Sequence, residues 1–311
     1  FLGQLALGHA GFMSVGAYAS TLFVRYATGI PENVRFIASL LLGALVAAVV
    51  GLIVGIPALR LKGDYLAIIT LGFGEIIRVI IENLGFTGGA QGLTKIPQLT
   101  SFTIVYIIVI ITLVVLYSFI RSRHGRAVMA IREDSIAAES CGINITFYRT
   151  LAFTLSAAFA GIAGGLYAHQ VGVLSAKVFG FNKSIEYVVM VVLGGMGSFT
   201  GSIVSAITLT ILPEALRSFS QYRMLIYSLA LILMMIFKPS GLLGTYEFSL
   251  TRFWGKLTGK IPREVKVKKE NGKIVSFLIK IKEKILASKK VKTDTKTQND
   301  NGDNLEQGDK K

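Results

Sequence analysis

The feature that most limits what this chain can fold into is a succession of long apolar stretches separated by short polar joints. A helix needs about 20 predominantly apolar residues to cross the hydrocarbon layer of a membrane. Backbone polar groups at that depth are satisfied only inside helices or a closed barrel. The stretches 5–24, 36–56, 65–84, 102–120 and 151–168 meet or approach the required length. Two shorter apolar pieces, 185–193 and 202–212, flank Gly194, Gly195, Gly197 and Gly201, and a last stretch, 224–237, follows them. The expected fold is therefore all-α, a polytopic transmembrane helical bundle of about eight segments. The two short pieces read either as helices with protein-covered ends or as half-helices that enter and leave by one face.

Composition supports this reading. Of 311 residues 52% are hydrophobic and 16% charged, where soluble domains carry about a quarter charged residues. A net charge of +15 would point to nucleic acid in a soluble protein. Here the lysines and arginines gather in the joints of one side and in the tail, without a nucleic-acid-binding motif, so the expected partner is the lipid bilayer. Positive joints face the cytoplasm. The segment 121–149 holds Arg121, Arg123, Arg126 and Arg132, and placing it inside brings Arg60, Lys62, Lys238 and the C-terminus to the same side. The chain is then a multi-pass protein of the cytoplasmic (plasma) membrane, with the loop around Gly88 outside.

Three regions are expected. Residues 1–245 form the transmembrane domain, with a cytoplasmic segment at 121–149. Residues 246–291 are a basic extension in which Ile274, Phe277, Leu278, Ile281 and Ile285 recur at helical spacing among lysines, the pattern of an amphipathic helix on a membrane surface. Residues 292–311 are too polar to bury a core and read as disordered. Cys141 is the single cysteine; it has no partner for a disulfide and is expected to stay reduced.

Ionisable residues inside spans are costly and face a bundle interior or a water-filled path. Glu75 and Arg78 stand three residues apart on one helix face, and Gln4 and His9 lie in or near the first span. These four either line a translocation path or form a structural ion pair and a satisfied histidine. Between 156 and 165 two lines of small residues run at four-residue spacing: Ser156, Ala160 and Gly164, then Ala157, Gly161 and Gly165. Such lines let a neighbouring helix approach closely, either as static packing or as a sliding surface. In the cytoplasmic segment, Asp134 or Ser135 is placed to cap a short helix through Ala137 and Ala138, and Gly142 to end it. A short polar helix between spans suits a groove on a soluble partner.

The chain carries no G-x-x-x-x-G-K-[ST] phosphate loop, no H-E-x-x-H and no paired-cysteine metal spacing. Its three histidines are scattered. Neither an enzyme, a metal nor a cofactor of its own is expected.

Several of these stretches together resemble the permease subunits of branched-chain amino-acid ABC importers of the LivM type. The carriers are Gly3-Gln4-Leu5-Ala6-Leu7-Gly8-His9-Ala10 with Gly16-Ala17-Tyr18, Gly63-Asp64-Tyr65-Leu66-Ala67 with Gly74-Glu75-Ile76-Ile77-Arg78, and Thr87-Gly88-Gly89-Ala90-Gln91-Gly92-Leu93. The stretch from Arg132 to Gly142 and Val192-Leu193-Gly194-Gly195-Met196-Gly197-Ser198 complete the set. Each motif alone is short and glycine-rich; their order over residues 1 to about 245 is specific.

The resemblance implies a complex with a second homologous permease, two ATP-binding subunits that bind and hydrolyse the ATP, and an extracytoplasmic substrate-binding protein. It implies that Arg132, Glu133, Asp134, Ala137, Ala138, Glu139 and Gly142 dock on the ATPase, and that Thr87, Gly88, Gly89 and Gly92 belong to the outer face. It also implies transport of Leu, Ile and Val. A family permease for urea, short amides or another small polar solute, an ion-driven secondary transporter and a non-transporting scaffold remain the alternatives. Family members carry a hydrophobic segment before the Gly-Gln motif, so about eight segments falls one or two short of the pattern. The lysine-rich tail lies outside the resemblance.

Overall fold

The computed structural model describes residues 2–216 except Thr28 and Lys62, together with the isolated positions 228, 229, 232, 236 and 241. All of these fall in the first of two compact units, which ends at Phe248. The expected basic extension and tail lie outside the described residues, and the expected segment 224–237 lies almost wholly outside them.

Among the described residues the fold is helical. The helices are α1 (His9–Tyr26), α2 (Glu32–Ala58), α3 (Asp64–Asn83), α4 (Phe102–Arg121), α5 (Arg123–Glu133), α6 (Ser135–Ser140), α7 (Ile145–Val171), α8 (Phe181–Gly194) and α9 (Phe199–Ala215). Short 3-10 turns occupy Gly85–Thr87, Gly89–Gln91 and Ala176–Phe179. Three helices, α2, α4 and α7, are long and apolar enough to cross a membrane. At 1.5 Å per residue, 27 residues reach about 40 Å and 20 residues about 30 Å, the thickness of the hydrocarbon layer.

The reason α1 is less apolar is its position. Ten of its eighteen residues are buried, because α2 and α7 pack along it and α3 and α8 also touch it. A helix wrapped in protein does not need a greasy circumference, and glycine, serine and alanine let its neighbours come close. By contrast, α4 buries none of its twenty residues and is apolar all round, as a helix facing lipid or a partner must be.

Small residues set the central three-helix contact. A Cβ on Gly16 would collide with the backbone of Gly161, and one on Gly164 with the carbonyl of Met13. A Cβ on Gly161 would stand 2.6 Å from Ala47 Cβ and 2.8 Å from the Gly43 carbonyl. The same contacts give direction. Gly16 and Ser20 of α1 meet Gly161 and Gly165 of α7 in ascending order, so those helices run parallel; Gly43 and Leu40 of α2 meet them in descending order, so α2 runs against both. Gly8 and Gly11 climb past Thr70 and Gly74, which makes α3 parallel to α1. Near the far ends of α1 and α7, the buried Ser20, Ser39 and His169 lie within 3.1 to 3.3 Å of one another in sequence of contact, and His169 Nδ1 donates to the Pro97 carbonyl at 2.9 Å.

Two expectations change, and the two short pieces take definite helical bounds. The first segment, expected at 5–24, becomes helical only at His9. Residues before it run as non-helical chain along α3, where the Leu7 amide donates to the buried Thr70 hydroxyl oxygen at 3.0 Å. The joint 121–149 is almost entirely helical, with α5 unforeseen; Ser122 caps it by accepting from the Gly125 amide at 3.2 Å. The short pieces around the glycines are two helices of 14 and 17 residues, and α8, at about 21 Å, is shorter than the hydrocarbon layer.

The small-residue contact yields a prediction. Gly161→Val forces a branched side chain into a packed backbone interface and should cost about 3 kcal/mol, read as a lower unfolding midpoint of the purified protein in detergent. Gly72→Ala on α3, where an added Cβ meets nothing within 4 Å, should leave the midpoint unchanged or raise it by about 1 kcal/mol of helix propensity.

Candidate functional site

Two concavities hold most of the residues of interest, and they separate what the sequence groups together. The larger has a volume of about 620 Å³ and lies at the bundle end where α1 begins and α4 ends. Its walls come from the 2–8 segment, α1, Leu59 after α2, α3, α4, α5, α7 and α8. Leu66, Phe119, Phe153, Val128, Val188 and Val191 give it an apolar surface. The polar side chains that reach it are Gln4, His9, Ser156, Ser184 and Tyr187.

Each polar group is held from its own element. His9 opens α1, donates from Nδ1 to the Ala6 carbonyl at 3.3 Å and sets Nε2 3.0 Å from Ser156 Oγ on α7. The Tyr187 hydroxyl donates to Met13 Sδ at 3.1 Å, joining α8 to α1. Gln4 is different: its side-chain oxygen is buried without a hydrogen-bond partner among the described residues. A buried acceptor left open in this way costs about 1–3 kcal/mol.

The smaller concavity, about 350 Å³, is lined by Glu75, Arg78, Lys177, Lys183, Glu186 and their neighbours. It carries Glu75 and Arg78 away from Gln4 and His9. Arg78 bridges Glu75 at 2.7 Å and Glu82 at 2.9 Å, Lys177 reaches Glu82 at 3.8 Å, and Lys183 pairs with Glu186 at 2.7 Å. Three cations thus face three carboxylates. On α8, Lys183 and Glu186 belong to this charged hollow while Ser184 and Tyr187 belong to the apolar cavity. The α8 contributions are missing from the sequence reading, although charged and polar pairs at i,i+3 inside a short apolar helix were the signal for them.

The two lines of small residues on α7 divide in the same manner. Ala157, Gly161, Gly164 and Gly165 are buried in the helix interfaces, whereas Ser156 and Ala160 line the apolar cavity.

Thr87 ends the 3-10 turn Gly85–Thr87 and Gly89 begins the turn Gly89–Gln91, with Gly88 between the two and Gly92 directly after them. The buried Thr87 hydroxyl lies 2.6 Å from the carbonyls of Ile81 and Leu84. Directly after them, Leu93 and Leu174 exchange backbone hydrogen bonds at 2.8 Å each way, which ties this turn to the α7–α8 connection.

The 134–143 stretch is built as a closed unit. Asp134 Oδ1 accepts from the amides of Ile136 at 2.8 Å and Ala137 at 3.1 Å. At the other end Gly142 adopts φ +81°; its amide donates to Glu139 O and that of Ile143 to Ala138 O, at 2.9 and 3.1 Å. This pair of bonds around a left-handed residue is a Schellman stop. Ile136 is 77% exposed and Ala138 5%. Hence Ile136, Ala137 and Glu139 present an outer face while Ala138 is turned inward, and Arg132, itself exposed, has its side chain beside Gly3 and Gly197.

This arrangement is a helical bundle of the membrane-embedded kind, closed by small-residue contacts, with a cavity and a short capped helix between α5 and α7. Residues 1–238 match the family described as the branched-chain amino acid transport system permease component, and the chain belongs to that family. It is 38% identical over 276 residues to the high-affinity branched-chain amino acid transport system permease protein LivM of Salmonella typhimurium, covering 78% of this chain and 64% of the relative. The LivM protein of Escherichia coli is matched to the same extent. LivH of Escherichia coli is 34% identical over 152 residues, covering 48% of this chain and 49% of the relative. The chain thus spans less than two-thirds of the length of these LivM relatives. No solved structure matches it significantly.

The capped helix can be tested directly. Asp134→Ala removes both side-chain acceptors and should weaken α6 by about 1 kcal/mol. Hydrogen–deuterium exchange over 135–141 should then quicken about five-fold, with exchange in α7 unchanged.

Proposed function

We propose that this chain is a permease subunit of an ATP-driven importer of branched-chain amino acids. In this reading it forms the translocation path with a second homologous permease, is driven by two separate ATP-binding subunits and receives substrate from an extracytoplasmic binding protein. ATP is bound and hydrolysed by those partners. The single observation that carries the substrate class is the cavity beside His9, apolar over most of its wall, with a few polar groups at defined points. Leucine, isoleucine and valine have the matching chemistry, a branched hydrocarbon side chain on a zwitterionic head. Urea and short amides, polar over their whole surface, would leave that wall unused.

The names of the relatives support the same substrates. The charged hollow beside Glu75 and Arg78, with balanced charge, suits the passage of a zwitterion from the opposite end of the bundle. Binding-protein delivery falls at that end, near Gly88. The α6 helix, placed in the cytoplasm with Arg121 to Arg149, offers its Ile136, Ala137 and Glu139 face to the ATPase.

The experiment is reconstitution of the chain with its permease, ATPase and binding-protein partners in liposomes. Leucine should accumulate only with ATP. Ala163→Leu, which fills the cavity from an exposed position on α7, should cut leucine uptake at least ten-fold with assembly intact. Accumulation by the purified chain without an ATPase, or urea uptake that leucine does not compete with, would overturn the proposal.

A further inference from the structure

We infer that Arg132 is a positioning residue that links the partner-facing helix to both moving walls of the cavity; this rests on the importer reading above. Arg132 lies at the end of α5, two residues before the Asp134 cap of α6. Its side chain, 32% exposed, lies against two glycines that are remote in sequence. A Cβ on Gly3 would come within 2.9 Å of Arg132 Cγ, and one on Gly197 would collide with its guanidinium. Both glycines have positive φ, +71° and +96°, a region where any other residue is strained.

Those two glycines belong to the elements that wall the cavity. Gly3 precedes Gln4 in the non-helical 2–8 segment, which is anchored to α3 through Leu7 and Thr70. Gly197 sits in the turn that closes α8, the helix bearing Ser184 and Tyr187. The same α5 that ends in Arg132 lays Val128 on the cavity. A push on α6 therefore reaches the 2–8 segment and the α8 turn through one side chain. The ion pair to Glu133, 3.6 Å with the Glu133 side chain 78% exposed, is too solvated to fix Arg132. The glycine contacts hold it.

The chemistry requires a long, planar, permanently charged group. Arginine reaches the Gly197 turn with a flat guanidinium that fits against bare backbone, whereas lysine ends in a round, strongly hydrated ammonium. Arg132 then acts on transport without touching substrate, by making the position of α8 follow that of α6.

The test uses the complete complex in liposomes and two readouts. The first compares ATP hydrolysis with leucine uptake in Arg132→Ala and Arg132→Lys. The second follows access to the cavity: Cys141→Ser removes the single native thiol, Ser184→Cys introduces one on the cavity wall, and its rate of maleimide labelling is compared without nucleotide and after vanadate trapping. In the Arg132 background the labelling rate should change at least five-fold on trapping. In Arg132→Ala that change should vanish, uptake should fall at least ten-fold and ATP hydrolysis should stay within two-fold. Arg132→Lys should restore part of the uptake.

Nucleotide-dependent labelling that persists in Arg132→Ala would overturn the inference while leaving the importer reading intact. So would uptake and hydrolysis falling together with loss of assembly. Failure of the unaltered complex to couple ATP to uptake would overturn both.

Discussion

Inside a bilayer there is no water to squeeze out from between helices, so burial of apolar area, which drives folding elsewhere, gives little reason for one helix to prefer another over lipid. Association then depends on how closely backbones can approach. Here α1 is held between α2 and α7 by contacts in which a glycine faces backbone or a single methyl, as with Gly16 against Gly161 and Gly164 against the Met13 carbonyl. Everything else hangs from that triple contact. It fixes the parallel run of α1 and α7, places His9 opposite Ser156, and leaves the other face of α7 free to line a cavity. Helices of ordinary size at the same positions would stand farther apart and would bring neither pair into register.

The membrane class, the helical fold and the capped helix at 134–142 were readable because each rests on a local signal. Apolar length marks a helix that meets hydrocarbon, and α2, α4 and α7 all carry that mark. A carboxylate followed eight residues later by glycine marks both ends of a short helix. What was hidden depends on neighbours distant in the chain. The apolar stretch at 5–24 gives no sign that its first residues lie extended along Thr70, since that requires knowing what α3 presents. Helix α5 was overlooked because its basic residues dominate its composition, while Gly125, Val128 and Ile131, three apart, form the buried stripe.

The grouping of polar residues shows the limit more clearly. Gln4, His9, Glu75 and Arg78 are alike as polar residues within apolar stretches, and sequence offers no reason to divide them. Three-dimensional placement does divide them, because α1 and α3 run parallel and Glu75 and Arg78 occur later along α3 than His9 along α1. The ion pairs that Arg78 makes with Glu75 and Glu82 are local and could be foreseen from spacing. The lysines that complete the charged hollow come from residues 177 and 183, a hundred positions away. Arg132 shows the same limit: it is exposed beside α6, and nothing in the sequence signals that its side chain also lies against Gly3 and Gly197.

Helix α4 has the opposite character to α1. None of its twenty residues is fully buried, but its faces differ: Ile104, Val105 and Ile108 pack against Phe36, Leu40 and Leu166, Leu116, Phe119 and Ile120 line the cavity, and Ile107, Ile110, Ile111 and Val114 are exposed. On that exposed face Ile, Val and Leu are nearly interchangeable as far as this subunit's own packing is concerned. A position there that nevertheless tolerates only one residue would betray the footprint of another macromolecule, legible from substitution tolerance before any complex has been seen.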